Sequence, residues 1–373
     1  MKILHVTGMP YPTKLGGFEK WLIAAGKCAK DHGDELFISY YESIGNVPPY
    51  LKQICENGIQ IILLKSDNDI CDFCLTKGIE IVHFHFGFEG YRKIFSALKK
   101  NGIKEYLHLH CECYYFTSKE WKKKLLTRCR IFCHRLKTHF CQRYFTAILP
   151  CSDTVRKEYL QFYKWSSKRC QTLYLGISEY KYPEKDYRKN KIPSIICIAF
   201  HSPIKGVDVL LRSIAILHQK HISFTCMMIG GGNSESDGED TARLLKLSKE
   251  LKLDSIVTWV GITNNASRYL ADGDVYCQPS RTEALSLSIA EAMQAGLPIV
   301  ASNVGGIHEL VHNNENGFLC KPDDPETLAM LLEQLLIDPS LRESMGEKSK
   351  EILADLNFTT SKSVNKLWEL YCK

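Results

Sequence analysis

Short apolar runs alternate with longer amphipathic stretches through the first half of the chain. The runs "KILHVTGM", "ELFISYY", "IQIILL", "IEIVHFHF" and "EYLHLHC" are rich in β-branched and aromatic residues and predict strands. The stretch "GGFEKWLIAAGKCAKDHG" has helical spacing and predicts a helix that ends at Gly33. Strands separated by helices are typical of βαβ units, so this half predicts a parallel sheet.

The alternation is interrupted once and then resumes. The segment "SEYKYPEKDYRKNKIP", residues 178–193, is polar, charged and contains prolines, which favours a linker or an exposed hinge. Beyond it, "SIICIAF", "FTCMMIGGG", "IVTWVG", "DVYCQPS" and "PIVASNVGG" predict a second set of strands with helices between them. The predicted fold class is α/β, with two Rossmann-like domains whose parallel sheets face a central cleft. We expect these domains at residues 1–185 and 186–355, and a C-terminal helix over 356–373 that can pack back on the first domain.

The length of 373 residues agrees with two domains, since single cores rarely grow beyond about 250–300 residues. No run of 18 or more apolar residues is present, so we expect no transmembrane helix. The N-terminal sequence lacks the long apolar core of a signal peptide. We therefore expect a cytoplasmic protein whose 16 cysteines are reduced thiols.

Charge is distributed unevenly along the chain. Residues 1–190 carry 31 Lys and Arg against 19 Asp and Glu, a net charge of +12. Residues 191–373 carry 17 against 23, a net charge of −6. We therefore expect the two domains to have different partners.

The stretch "TEALSLSIAEAMQAGLPIVASNVGG" begins at Thr282 and carries the clearest chemical signal. A helix is predicted from about Ser286 to Ala295, with Gly296 as its cap and Pro298 beyond. Its N-terminus follows the carboxyl end of a strand, where ligands bind in open α/β sheets. The helix dipole and the backbone amides there suit a phosphate or diphosphate; these amides belong to Ala284, Leu285, Ser286 and Leu287.

Two glutamates flank this helix start. Glu283 lies just before it and Glu291 about one and a half turns further on, so both can reach one elongated ligand. The alternative for Glu291 is a solvated helix residue. Its neighbours, among them Leu287, Ile289 and Met293, leave little polar face and favour the ligand interpretation.

The stretch "PSRTEALSLSIAEAMQAGLPIVASNVGGIHELV" resembles the donor-site signature of retaining GT-B glycosyltransferases of family 4, the glycosyl transferases of group 1. Four further segments match in the correct order: "GGFEKWL", "ILPCSDTVR", "IKGVDVLL" and "NGFLCKPDDPETLA". The resemblance implies an acceptor-binding first domain and a second domain that binds a nucleotide sugar. It also implies sugar transfer with retained configuration, without a metal ion or another cofactor. The basic segment 119–145, described below, favours a saccharide or lipid-linked oligosaccharide as the acceptor, in polysaccharide synthesis.

Roles follow from the resemblance position by position. Glu291 would bind the ribose of the donor, Glu283 the transferred sugar, and Lys205 with the helix-start amides the diphosphate. His110 would lie near the reacting sugar, although a satisfied core histidine is the alternative. The glycine pair Gly16 and Gly17 would approach the donor phosphate, with a simple helix start as the alternative. The departing phosphate oxygen would accept the acceptor's proton, so no enzymic nucleophile is required.

One departure from the family pattern concerns the binding of the diphosphate. An arginine usually lies about five residues before Lys205, and Phe200 is found there, followed by His201. Either His201 or another cation such as Arg281 takes over part of its role, or the stabilisation of the leaving group is weaker. Imidazole lacks the planar fork of a guanidinium and is only partly charged near neutral pH.

Residues 119–145 hold nine Lys and Arg and one acid. Apolar residues recur in this segment at helical spacing: Trp121, Leu125, Cys129, Phe132, Cys133, Leu136 and Phe140. One interpretation is a basic amphipathic helix that docks on an anionic membrane surface. The other is a helix whose apolar stripe packs on the domain core. Nucleic-acid binding has no motif to support it. The predicted membrane or acceptor surface consists of Trp121, Lys122, Lys123, Lys124, Arg128 and Arg130.

The segments "HLHCEC", "HFHF" and "CDFC" contain metal-binding residue types at short spacing. Because successive side chains of a strand point to opposite faces, we expect few of them to converge and predict no metal site. Two other functions remain open: a non-hydrolysing sugar-nucleotide epimerase of the same fold, and a catalytically silent nucleotide-sugar-binding subunit. The sequence does not distinguish a UDP-linked from a GDP-linked donor.

Overall fold

A computed structural model of the chain divides into two compact units. The first contains Met1–Ser178 together with Thr359–Lys373, and the second contains Glu179–Phe358. The domain limits expected at residues 185 and 355 lie near these divisions. The structure describes residues 1–10, 16–41, 50–85, 91–112, 125–188, 192–231 and 235–373.

The first unit is built on one six-stranded parallel sheet. Its strand order is β3-β2-β1-β4-β5-β6, the order of a doubly wound nucleotide-binding sheet. The strands are β1 Lys2–Pro10, β2 Glu35–Tyr41, β3 Ile59–Leu64, β4 Ile81–His85, β5 Lys104–Leu109 and β6 Ala147–Pro150. The helices are α1 Gly17–His32, α2 Tyr50–Glu56, α3 Asp69–Lys77, α4 Arg92–Lys100, α5 Leu125–Cys141, α6 Asp153–Tyr163 and, from the chain's end, α13 Thr360–Tyr371.

The second unit repeats this topology. Its sheet has the order β12-β11-β10-β7-β8-β9, which is the same winding read from the other edge. The strands are β7 Ser194–Ile198, β8 Thr225–Ile229, β9 Val257–Gly261, β10 Val275–Gln278, β11 Ile299–Ser302 and β12 Gly317–Cys320. The helices are α7 Val207–Gln219, α8 Glu235–Glu250, α9 Ala266–Asp272, α10 Leu287–Gln294, α11 Pro325–Ile337 and α12 Pro339–Asp355.

The central strands are continuous apolar runs because helices cover both faces of each sheet. All five residues of β4 and all four of β10 and β11 are buried. In the second unit, α7 and α11 bury leucines and valines against this sheet. The carboxyl ends of the strands are thereby left to carry the polar loops.

The polar segment expected as an exposed hinge is partly packed onto the second unit. Tyr187 is buried, and its hydroxyl donates to the carbonyl of Gly296. Lys185 Nζ donates to the carbonyls of Leu270 and Ala271 at the end of α9. The prediction failed here because composition does not reveal partners that lie 85 or more residues away.

The C-terminal helix α13 returns to the first unit. Trp21 Nε1 donates to Ser363 Oγ at 3.0 Å, and Tyr106 Oη donates to the carbonyl of Leu370 at 2.8 Å. Residues 359–373 therefore belong to the same core as β1, β4 and β5. None of the helices in the described parts of the chain is long and apolar enough to cross a membrane.

Candidate active site

The loop between β10 and α10 forms the start of the site. Ser286 has extended backbone geometry and caps α10, its Oγ accepting a hydrogen bond from the amide of Ile289 at 3.3 Å. The helix ends at Gln294, and Gly296 adopts φ +76° beyond it. The helix predicted from the sequence is confirmed. Its first turn lies at the carboxyl end of the sheet, where the helix dipole favours an anion.

Lys205 and Glu283 meet beside this helix start. Lys205 Nζ lies 2.7 Å from Glu283 Oε2, and both side chains are largely buried. Lys205 ends a 3₁₀ turn that follows β7, and the amide of Arg281 donates to the carbonyl of Ile204 at 2.7 Å. That backbone bond joins the two loops, so the sheet brings together a cation and a carboxylate that lie 78 residues apart.

A chain of buried polar groups leads to Glu283. Tyr276 Oη donates to Gln278 Oε1 at 2.8 Å, Gln278 Nε2 donates to Ser280 Oγ at 2.8 Å, and Ser280 Oγ donates to Glu283 Oε2 at 3.3 Å. This chain orients the carboxylate. Sequence reasoning did not identify Gln278 or Ser280, although polar residues at alternate positions of an otherwise apolar strand end are a usable signal.

Glu291 lies on α10 and is half-buried. Its negative charge lies close to Tyr182, whose pKa is raised first by burial and then by Glu291. The ring of Tyr182 packs against that of Tyr180 at a tilt of 59°, with ring centroids 4.6 Å apart. Tyr182 belongs to the segment predicted as a linker, so its position beside this carboxylate was not predicted.

The two candidates for the missing cation have different surroundings. Arg281 contacts Asp208 with both terminal nitrogens, at 2.9 and 2.8 Å, and its Nε lies 2.6 Å from Asp323. Although burial raises the pKa of Asp208, the hydrogen bond and charge of Arg281 outweigh it and leave that pKa lowered. Two carboxylates therefore hold the guanidinium, which disfavours Arg281 as a diphosphate ligand.

His201 lies in a more closed environment. Its Nδ1 is 2.9 Å from Thr241 Oγ1, and its ring packs edge-on to Trp259. The imidazole is buried, and it borders the backbone of Gly231. Phe200, at the position where the family has arginine, is 40% exposed.

In the first unit, the glycine pair begins α1 as predicted. Gly16 is the N-cap, and its amide donates to Glu19 Oε2 at 2.8 Å. Burial raises the pKa of Glu19, while backbone hydrogen bonds act in the opposite direction. The Gly16 amide is thus used by the cap of its own helix, which favours the helix-start alternative for this residue.

His110 follows β5 and is half-buried. Its Nε2 lies 2.9 Å from His85 Nδ1, and Phe18 packs edge-on against its ring. Burial and the neighbouring His108 hold the pKa of His110 well below its usual value. His110 is therefore a neutral imidazole at physiological pH.

The expected membrane or acceptor surface is only partly visible. Trp121, Lys122, Lys123 and Lys124 lie outside the described residues, and the side chains of Arg128 and Arg130 do so as well. In the remainder of α5, the apolar residues expected to form its stripe are not the buried ones: the exposed fractions are 58% for Phe132, 44% for Leu136 and 55% for Phe140. Ile131, Thr138 and Cys141 form the packed side instead.

The comparison with protein families matches the second unit of the chain. A family model described as "Glycosyl transferases group 1" matches residues 181–352. An uncharacterized glycosyltransferase of Haemophilus influenzae is 33% identical over 174 residues, which are 46% of this chain and 48% of that protein. N-acetyl-alpha-D-glucosaminyl L-malate synthase of Bacillus anthracis is 27% identical over 213 residues, 55% of this chain and 54% of that protein. The chain spans about half the length of the curated relatives it matches.

The comparison with solved structures extends over both units. The crystal structure of Anabaena HepE in complex with UDP aligns with a TM-score of 0.79 at 17% sequence identity, covering 100% of each chain. The fold is therefore GT-B, and the predicted α/β class with two Rossmann-like domains, each on a parallel sheet, is confirmed.

Proposed function

We propose that the chain is a retaining glycosyltransferase of family 4. It transfers a sugar from a UDP- or GDP-linked donor to a saccharide or lipid-linked oligosaccharide, on the cytoplasmic face of the membrane and in the synthesis of cell-surface polysaccharide. The observation that carries this proposal is the Lys205–Glu283 pair at 2.7 Å, beside the capped start of α10.

The chemistry of that pair suits a nucleotide sugar. An ammonium group and a helix N-terminus together attract a diphosphate, and a carboxylate oriented by Ser280 accepts hydrogen bonds from sugar hydroxyls. Glu291 lies further along the same helix, at a suitable distance for the ribose diol of the donor. The similarity to relatives named as glycosyltransferases and to a protein solved with UDP supports this assignment.

Catalysis then consists of stabilising the departing diphosphate. Lys205 and the amides from Ala284 to Leu287 neutralise charge that develops on the leaving oxygen, in place of a metal ion. That oxygen takes the proton of the attacking hydroxyl on the same face of the sugar, so the configuration is retained. His201 supplies a further polar contact near the glycines that follow β8.

The test is transfer activity with a panel of nucleotide sugars, after thermal shift has selected the donors that bind. Glu283→Ala and Glu291→Ala should each abolish transfer, and Lys205→Ala should lower kcat by at least about tenfold, since a charged contact to the leaving group is lost. Glu283→Ala and Lys205→Ala each leave the other charge of a largely buried pair unpaired and should lower the unfolding free energy by about 1–3 kcal/mol. Glu291→Ala should stay within about 1 kcal/mol of wild type. Thermal melting verifies that each variant is folded at the assay temperature.

Lys348 and Glu351 form the matched control, an exposed pair at 3.0 Å in the same unit. Lys348→Ala and Glu351→Ala should leave transfer unchanged. Full activity in both Glu283→Ala and Glu291→Ala would refute the site. Conversion of a nucleotide sugar without any acceptor would identify an epimerase instead.

A further inference from the structure

Five histidines of the first unit gather on one face of its sheet. His5 lies on β1, His83 and His85 on β4, His108 on β5, and His110 directly beyond β5. Residues two apart in a strand share a face, and the sheet register pairs His5 with His83 and His85 with His108. The expectation that few of these side chains converge considered each strand alone and is wrong for the assembled sheet.

The imidazoles contact one another through ring nitrogens. His5 Nδ1 lies 2.8 Å from His85 Nε2, and His85 Nδ1 lies 2.9 Å from His110 Nε2. His108 Nε2 donates to the carbonyl of Leu173 at 3.2 Å. This bond fixes the proton of His108 on Nε2, so that its Nδ1 carries a lone pair.

That lone pair of His108 is buried and has no hydrogen-bond partner among the residues that the structure describes. A buried acceptor without a partner costs free energy unless a ligand satisfies it. One nitrogen each from His85, His108 and His110 lies within 4.8 Å of the others. The unsatisfied nitrogen thus lies in a group of three potential ligands.

We propose that His85, His108 and His110 bind one divalent transition-metal ion of the Zn²⁺ class. The ligand atoms are Nδ1 of His85, Nδ1 of His108 and Nε2 of His110. An ion with nitrogen distances of about 2.0–2.1 Å requires these atoms to be roughly 3.3 Å apart in a tetrahedral arrangement. The nitrogens of His85 and His110 therefore have to separate by about 0.4 Å from their present 2.9 Å, and that of His108, within 4.8 Å of both, has to approach them. The rings of His108 and His110, now stacked with centroids 4.3 Å apart, have to turn so that their lone pairs face the ion.

The surroundings match those of metal-bound histidines. Such residues donate their other ring N–H to a carbonyl or a similar acceptor, which orients the ring. The carbonyl of Leu173 accepts such a bond from Nε2 of His108, and Nδ1 of His5 can accept one from Nε2 of His85. Burial also keeps the imidazoles neutral, as metal binding requires, since it lowers the pKa of His108 to about 3.

The donor set selects the class of ion and the position. Neutral imidazoles suit zinc, copper, nickel or cobalt and bind magnesium or calcium poorly. The group His5, His83 and His85 is an alternative, since His83 Nε2 is also buried without a hydrogen-bond partner among the described residues. All three of its histidines are fully buried, however, which leaves no route for an ion. His110 is half-buried, which leaves a route for the ion and room for a fourth ligand. Both groups share His85, so one ion is bound at a time.

The site lies entirely in the first unit and uses no residue of the Lys205–Glu283 pair. Its test is therefore a binding measurement with the full-length chain after removal of metal by a chelator. Isothermal titration with ZnCl₂ should give one equivalent per chain. Co²⁺ should give the visible absorption of a four-coordinate nitrogen site, and X-ray absorption should detect imidazole scattering.

Histidine variants show which of the two groups binds the ion. His110→Ala should weaken zinc binding at least about 100-fold, and His5→Gln about 10–100-fold, as for a residue that orients a ligand. His218→Ala is the matched control, an exposed histidine of α7 that should leave affinity unchanged. Melting in the presence of chelator verifies that each variant is folded.

Absence of saturable binding to the wild-type chain would overturn the proposal, as would wild-type affinity in His110→Ala. Loss of binding in His83→Gln together with full binding in His110→Ala would also overturn it, because the ion would then lie in the other group.

Discussion

Gly206 is the residue that allows Lys205 to lie where it does. It adopts φ +65°, and a Cβ at this position would lie 1.9 Å from the carbonyl oxygen of Pro279. Gly206→Ala should therefore lower the unfolding free energy by at least about 1–3 kcal/mol, from the left-handed backbone alone. The clash adds to this and should displace Lys205, so donor affinity should fall as well. Urea unfolding and donor titration measure the two effects.

Gly261 provides the matched control. It adopts φ +77°, but a Cβ there would meet no atom within 4 Å. Gly261→Ala should therefore show only the conformational cost of about 1–2 kcal/mol and leave donor affinity intact. Equal losses in the two variants would contradict the role given to the contact with Pro279.

Single residues were predictable where their chemistry follows from local sequence. The start of α10 near Ser286 was predicted because helix start and stop signals are local, and Glu283 was singled out because it lies just before that start. The ion pairs of Arg281 could not be predicted, because its partners Asp208 and Asp323 lie 73 and 42 residues away in the chain. Tyr182 was missed for the same reason, since only folding places it beside Glu291.

At the scale of elements, apolar runs located the strands well because both faces of each sheet are covered. The five runs quoted from the first half correspond to β1 to β5, and those from the second half to β7 to β11. Amphipathicity was less reliable for α5. Helical spacing shows which residues share one face of a helix, but it does not show what that face packs against. In the structure, the exposed side of α5 carries Phe132, Leu136 and Phe140.

The exposed face of α5 makes membrane docking testable. Phe132, Leu136 and Phe140 recur at intervals of four residues and are exposed on a helix rich in Lys and Arg. Changing all three to Ser should lower binding to vesicles of anionic lipid by about tenfold or more, since each large side chain contributes roughly 1–2 kcal/mol of apolar burial. Co-sedimentation measures the bound fraction. The control is Ile337→Ser, which removes an apolar side chain that is 66% exposed on α11 and should leave the bound fraction unchanged. Binding of the triple variant equal to that of wild type would refute docking through this face.

At the scale of the whole molecule, two doubly wound sheets were predictable from the interrupted alternation of strands and helices. The exact packing of the C-terminal helix on the first unit was not predictable, because it depends on side-chain partners that lie far away in the chain. Trp368 Nε1 donates to Asp34 Oδ2 at 2.8 Å, and the hydroxyl of Tyr371 contacts His83. The last helix thus covers part of the histidine cluster and completes the core of the first unit.

That cluster should govern how the stability of the molecule depends on pH. Burial lowers the pKa of His5 and of His108 to about 3, and it lowers those of His83, His85 and His110 as well. The unfolded chain therefore takes up protons first as the pH falls below about 6.5. The stability contributed by neutral histidine is present above that pH and is lost progressively toward pH 3.

For His5 and His108, each group should cost about 1.4 kcal/mol per pH unit in that window, or about 2 kcal/mol at pH 5; His83, His85 and His110 act in the same direction. Glu105 acts in the opposite direction, because burial raises its pKa to about 9 and its neutral form gains relative stability below that value. Five histidines outweigh one glutamate, so the urea midpoint of metal-free protein should fall from pH 7.5 to pH 5. His5→Gln should make this fall shallower, whereas His312→Gln, at an exposed position, should not. An unchanged slope in His5→Gln would mean that the imidazoles are already protonated in the folded state, which the hydrogen bond between His5 and His85 argues against.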